Sequence, residues 1–263
     1  MPTKNKINTV RPPLAGWLGG KSKLAKKIIA EMPEHKCYVE VFSGAAWVLF
    51  RKPESKVEVI NDYSRDVSNL YRVIQNHLEE FIRQFKFCIV SRDEWDRLNS
   101  VPPETLTDIQ RAAQFYYLQK MSFGGKVSGR SFGTATTAKP RINLLRIEEE
   151  LSETHLRIAR VMIENLDYLD CIKRYDRPHT FFYIDPPYYD CENDYGKDMF
   201  NKDDFVRLAE QLATIKGTFL LSLNDRPEIR EIFKKFDISS ADTSYSVGTG
   251  GPKKVSELII KNY

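Results

Sequence analysis

Apolar residues fall along this chain in two alternating rhythms. Short apolar runs read as strands: Tyr38-Val39-Glu40-Val41-Phe42, Val57-Glu58-Val59-Ile60, Thr180-Phe181-Phe182-Tyr183-Ile184, Thr218 to Leu223 and Val255 to Ile260. Between them the spacing turns helical. Val67, Leu70, Tyr71, Ile74, Leu78, Phe81, Ile82 and Phe85 predict one sustained helix from Ser64 to Phe85. After the break at Pro102-Pro103, Ile109 to Met121 predicts another, and Leu144 to about Arg160 a third. Asn201 reads as the N-cap of a helix whose buried face is Phe205, Leu208, Leu212 and Ile215.

Strands alternating with helices predict an α/β fold, a mostly parallel sheet with helices on both faces. The stretch from Ser64 to Ile158 holds no strong strand and reads as a helical insertion. Inside it, Phe123 to Arg141 is rich in Gly, Ser, Thr and basic residues with almost no aliphatic side chains. That is a long loop or hairpin, a kind of segment that in a compact domain is commonly functional.

Composition narrows the picture only slightly. Forty Lys and Arg against 36 Asp and Glu leave 263 residues with a net charge of +4, which tolerates a polyanionic partner without requiring one. Cys37, Cys88, Cys171 and Cys191 include no C-x-x-C pair, so neither a zinc site nor a disulfide framework is expected. The start lacks the apolar core of a signal peptide, and no apolar run is long enough to span a bilayer. A cytoplasmic protein, monomeric by default and not membrane-bound, is expected.

The chemistry concentrates at strand ends. Asp185-Pro186-Pro187-Tyr188 follows an apolar strand, where open α/β sheets bind ligands. A carboxylate, carbonyls in a proline-stiffened turn and a flat aromatic ring together match a planar amino group: two N–H groups accepted and the ring stacked. A strand-end turn with a buried tyrosine is the plainer alternative. Glu40-Val41-Phe42-Ser43-Gly44-Ala45-Ala46 puts small residues at a strand-to-helix turn, where backbone can approach a cofactor. The next strand ends at Asp62, placed either to take ribose hydroxyls or to cap the helix that follows. Ala15-Gly16-Trp17-Leu18-Gly19-Gly20-Lys21 is a glycine-rich segment whose Trp17 suits a pocket wall or the core.

Taken in this order, the segments resemble the Dam-like (D12) class of DNA N6-adenine methyltransferases, and in detail look most like its small phage or prophage members. The similarity runs from about Pro12 to Tyr263 and includes Gly250-Gly251-Pro252-Lys253-Lys254-Val255-Ser256-Glu257-Leu258. It implies a Rossmann-like S-adenosylmethionine (SAM) domain formed by 1–63 and 159–263, with 64–158 as a mainly helical target-recognition insertion. It also implies double-stranded DNA as partner, no metal, and methyl transfer to a flipped-out adenine. Catalysis would rest on Asp185, Pro186, Pro187 and Tyr188. Trp17, Lys21, Glu40, Phe42, Gly44, Asp62, Asp167 and Tyr168 would bind SAM. Lys126, Arg130, Lys139, Arg141, Lys253 and Lys254 are the candidate DNA contacts; as a basic loop they are equally a solvated surface. Two departures stand out. Val41 and Ala46 occupy positions where the family carries Pro and Gly, and the methyl of Ala46 is expected to crowd the cofactor. The family's Ser-Asn is spread here as Ser222-Leu223-Asn224. Transfer to cytosine N4 or to an RNA base is one alternative, and a silent DNA-binding relative another. The intact Asp185-Pro186-Pro187-Tyr188 argues against the second.

Overall fold

The computed structural model of the chain describes residues 8–134, 136–192, 199–245 and 253–263; at 242–245 and 253–255 it describes backbone alone. Its strands are β1 (Cys37–Glu40), β2 (Val57–Asn61), β3 (Met162–Glu164), β4 (Thr180–Ile184), β5 (Thr218–Asn224), β6 (Asp237–Tyr245) and β7 (Lys253–Lys261). They form one sheet in the order β3-β2-β1-β4-β5-β7-β6. The first five pair in parallel, with Val39 opposite both Val59 and Phe182. β7 runs antiparallel to β5, and β6 to β7.

The central strands are apolar because both faces are covered. β1 and β4 are buried at every position. On one face lie α1 (Ala25–Glu31) and α2 (Trp47–Arg51), together with α3 (Arg65–Asn76), α4 (Leu78–Arg83), α6 (Asp108–Met121) and α7 (Ile147–Ile158). Ile28, Phe50, Leu70, Tyr116 and Leu151 share that core with Tyr38 and Phe181 of the sheet. The helices between β2 and β3 therefore pack into the same core as the sheet. The other face carries α8 (Tyr168–Tyr175), α9 (Lys202–Leu212) and α10 (Pro227–Ile232).

The single helix expected over 64–85 is two. At His77 the backbone leaves the helix (φ −135°, ψ 36°), and α4 restarts at Leu78. Val73, Ile74 and Phe81 still face the same core, so the apolar rhythm continues across a break in hydrogen bonding. The helix beginning at Asp108 carries a capping box of Thr107 and Gln110, and Asn201 caps α9 with Asp204 reaching back. From 123 to 141 the described chain is a short 3-10 turn, a single bridge between Ser122 and Phe132, and irregular loop.

A buried ionic cluster joins α7 to the sheet. Arg157 donates to Glu58 of β2 at 2.6 and 3.0 Å and to the Leu49 carbonyl at 2.8 Å, while Lys52 pairs with the same Glu58. Among the described residues no helix is long and apolar enough to cross a membrane.

Candidate active site

The chain leaves β1 on one side of the sheet for β2 and returns on the other for β4. The crevice beyond the carboxyl ends of β1 and β4 is thus the switch point where open α/β sheets bind ligands. A cleft of about 770 Å³ opens there.

At the end of β1, Glu40 is buried. Its Oε2 accepts from the Tyr38 hydroxyl at 2.8 Å and the Leu49 N–H at 3.0 Å. Burial pushes its carboxyl up to about 8 despite those bonds. Gly44 follows at φ +44°, and a Cβ there would stand 2.8 Å from Trp17 Nε1. This turn demands glycine for both conformation and room. At the end of β2, Asp62 takes the Gly44 N–H on Oδ2 at 2.8 Å and the Ser64 N–H on Oδ1 at 2.9 Å. Burial, opposed by these bonds, holds its carboxyl up at about 6. Asn61 fixes the strand end by bonding the Val41 and Leu166 carbonyls and accepting the Leu166 N–H.

At the end of β4, Asp185 Oδ1 meets Lys21 Nζ at 2.7 Å and accepts from Ser222 Oγ at 3.0 Å. Ser222 in turn lies 3.0 Å from the Tyr183 hydroxyl. Among the described residues no bond reaches Asp185 Oδ2. Burial raises the Asp185 carboxyl above its usual range, while the charge and hydrogen bond of Lys21 pull it down. Lys21 is buried, also donates to the Gly19 carbonyl at 3.1 Å, and sits 4.7 Å from the centre of the Tyr188 ring. Tyr188 shares a side-chain hydrogen bond with the buried Glu257 of β7.

Trp17, Lys21, Glu40, Phe42, Gly44 and Asp62 all line this cleft, together with Asp185 and Pro187. Pro186 is buried beside it. Asp167 and Tyr168 stand elsewhere. Asp167 caps α8 through the Leu169 N–H at 2.9 Å. Tyr168 stacks behind Phe42 at 5.6 Å and tilts against Phe200 at 5.6 Å, with its hydroxyl on Asp204, so it backs two aromatic walls of the cleft.

The basic candidates divide. Lys126, Lys139 and Arg141 are exposed on the loop, and Arg141 reaches toward the Gly16 carbonyl at 3.5 Å. Arg130 is half-buried, 5.4 Å from the Phe115 ring centre. Lys253 and Lys254 begin β7 opposite Tyr245 and Ser244, and their side chains lie outside the described residues.

Sequence reasoning missed several residues of the site: Trp47, Phe200, Ser222, Asn224 and Glu257. The alternation Ser222-Leu223-Asn224 was a usable signal, since period two puts Ser222 and Asn224 on one face of β5. Asn224 accepts the Tyr189 N–H at 3.0 Å and donates to the Tyr189 carbonyl at 2.9 Å.

The cleft fits an adenosyl cofactor by shape and donor set. Gly44 and Gly20 leave room where a side chain would strike Trp17 or Trp47. Asp62 offers a carboxylate at the end of the second strand, and Trp17, Phe42 and Phe200 supply flat apolar walls. A Rossmann-like sheet with such a cleft and an Asp-Pro-Pro-Tyr turn at its mouth defines a methyltransferase of the kind that acts on amino groups. The chain belongs to the D12 class N6 adenine-specific DNA methyltransferases, whose family model matches residues 17–247. It is 26% identical over 262 residues to the type II methyltransferase M.CviBI of Paramecium bursaria Chlorella virus NC1A, covering 95% of this chain and 99% of that one. Against the type II methyltransferase M1.LlaDCHI of Lactococcus lactis subsp. cremoris the identity is 27%, covering 99% and 98%. The DNA adenine methylase of Salmonella typhi is 23% identical over 92% of each chain.

Proposed function

We propose that this enzyme methylates N6 of an adenine turned out of double-stranded DNA, drawing the methyl group from SAM and working as a single chain. The observation that carries the reading is Asp185, held by Lys21 at the mouth of a cleft that Gly44 and Asp62 shape for an adenosyl group.

SAM bound in the cleft supplies an electrophilic methyl on a sulfonium, and S-adenosylhomocysteine remains after transfer. Trp17, Phe42, Gly44 and Asp62 would hold and orient it, with the Asp62 carboxylate taking the ribose hydroxyls. Turning adenine out of the duplex costs a few kcal/mol, of which stacking on Tyr188 returns roughly 1–3 kcal/mol. The amine donates one proton to Asp185 Oδ2 and one to the Pro186 carbonyl. These bonds pull the nitrogen lone pair out of the ring and strengthen as positive charge grows on nitrogen, so they favour the transition state over the ground state. The surplus proton that N6 carries once it has gained the methyl group would pass to Asp185, whose burial makes it a better base than an exposed aspartate.

Incubating the protein with unmethylated duplex DNA and SAM, then analysing the nucleosides by mass spectrometry, tests this reading. N6-methyladenine is expected from the wild type and none from Asp185→Ala. Methylcytosine instead, or methylation by the Ala variant, would overturn it.

A further inference from the structure

Glu257 stands at the centre of β7 and is wholly buried, followed by Leu258, Ile259 and Ile260. An apolar residue would suit that place in a sheet, and a carboxylate taken out of water is costly to a fold. The charged and hydrogen-bonding side chains that face it are Lys21, Asp185, Tyr183 and Tyr188, all at or beside the turn that ends β4. Its burial thus serves the candidate active site.

The sheet register shows how. Glu257 lies directly across from Asn224 of β5, and Ile259 across from Ser222. Directly opposed residues share a face of the sheet, so Ser222, Asn224 and Glu257 project together on one side. Each ends on a different part of the same turn. Ser222 donates to Asp185 at 3.0 Å, Asn224 holds the Tyr189 backbone through two bonds, and Glu257 accepts from the Tyr188 hydroxyl. One strand position therefore fixes the chain beside the tyrosine, and its cross-strand partner fixes the far end of the tyrosine ring. Lys21 covers one face of that ring, its Nζ 4.7 Å from the centre, so a stacked base takes the other.

We propose that Glu257 is a positioning residue for methyl transfer: by holding the Tyr188 hydroxyl it sets the plane of the ring on which adenine stacks, and so the approach of N6 to Asp185. This rests on the reading of Asp185-Pro186-Pro187-Tyr188 as the adenine site. A ring anchored only at its backbone end keeps two side-chain rotations. A hydrogen bond at the hydroxyl removes both, which is the kind of orientation that transfer between two bound groups depends on.

The test is a double-substitution cycle on the full-length protein, read as the single-turnover rate of methylation of unmethylated duplex with SAM. Glu257→Leu, similar in size but unable to accept the hydroxyl, is expected to slow transfer about tenfold while the KM for SAM stays within about twofold. Glu257→Gln still accepts and should stay within about threefold of the wild type. Tyr188→Phe keeps the ring and loses the tether, so it should match Glu257→Leu, and the Phe/Leu double variant should be no slower than either. A duplex with 2-aminopurine in place of the adenine that the wild type methylates gives a second readout. Its emission, set by how the turned-out base stacks, should change alike in the Leu and Phe variants and hold at the wild-type level in the Gln variant.

A wild-type rate in the Leu variant, losses that multiply in the double variant, or a Gln variant as slow as the Leu variant would overturn the assignment. If the Leu variant does not fold, Tyr188→Phe with wild-type rate and emission overturns it equally. A wild type that methylates no adenine would instead strike the reading of the site on which it rests.

Discussion

Lys21 lies just ahead of the first helix and Asp185 at the end of the fourth strand, yet Nζ and Oδ1 meet at 2.7 Å. The lysine is buried, and its contact falls on the carboxylate that would accept the adenine amine. A residue expected in the cofactor pocket thus also sets the charge of the proposed catalytic group.

Replacing Lys21 with Met should expose that control. Burial already raises the Asp185 carboxyl, and Lys21 opposes it. Without the cation the carboxyl rises further, so a higher pH is needed to ionise it. The acidic limb of the kcat–pH profile should therefore move to higher pH, with kcat reduced most at the acid end of the range. An unmoved limb would mean the pair does not govern Asp185.

Asn224 calls for a different readout. β4 and β5 pair as far as Ile184 and Leu221, and the following Pro186 and Pro187 have no N–H to continue the ladder. The Asn224 carboxamide restores both bonds at Tyr189, one residue past the ring on which adenine would stack. Asn224→Ala should therefore lower kcat about tenfold, through lost positioning, while the KM for SAM stays within about twofold. A rise in the KM for SAM with unchanged kcat would contradict the assignment.

What the sequence made legible, and what it did not, has a common physical basis. The cleft residues Glu40, Asp62 and Asp185 end short, mostly apolar strands, so the strands and their carboxyl ends could be read directly. β3 escaped because it has only three residues and an exposed Met162. β6 escaped because its sequence, beginning Asp237-Ile238-Ser239-Ser240, has the polarity of an edge strand. α5 (Arg92–Ser100) buries Trp95 alone, too little to show a period. The pairing of Lys21 with Asp185 could not be read from spacing, since the topology alone brings them together. Asp167 and Tyr168 precede the catalytic strand in sequence, but the unforeseen α8 takes Asp167 as its N-cap and sets Tyr168 behind Phe42.

Ala46 marks a departure with a measurable consequence. It stands in the left-handed region (φ 51°, ψ 40°) at the start of α2, and it lines the cofactor cleft. For an L-residue that conformation costs roughly 1–2 kcal/mol, against roughly 0.5–1 kcal/mol of unfolded-state entropy that glycine would add. Ala46→Gly should leave stability unchanged or raise it by up to about 1 kcal/mol in urea denaturation. It should also tighten SAM binding by removing a methyl from the wall. Clear destabilisation would show that the packing of this buried methyl outweighs the strain.

Glu58 bears on how the helical segment is held to the sheet. Among the described residues it is the one carboxylate in contact with both Lys52 and Arg157, and all three are buried. Those two partners hold its carboxyl below the usual range. Glu58→Gln would strand two buried cations and is expected to cost roughly 3–5 kcal/mol of stability. A smaller loss in urea denaturation would mean that water reaches the cluster.

Glu40 gives the opposite pH response. Burial raises its carboxyl from 4.5 to about 8 in the folded chain. Across that window the folded state holds a proton that the unfolded chain has released. Raising the pH through it must therefore cost stability, at up to about 1.4 kcal/mol per pH unit for one proton. Asp62 acts in the same direction over the narrower span from 3.8 to about 6. The protein without cofactor should be most stable near the acid end of these windows and weaken steadily toward pH 8. Glu40→Gln keeps an oxygen for the Tyr38 hydroxyl and the Leu49 N–H but cannot ionise, so above pH 6 its stability should be nearly flat. Urea midpoints at pH 5, 6, 7 and 8 for the two proteins decide the matter. Parallel declines would place the ionising group somewhere other than Glu40, whereas a flat Gln variant that also binds SAM more weakly would show that one carboxylate serves the cofactor at the expense of the fold.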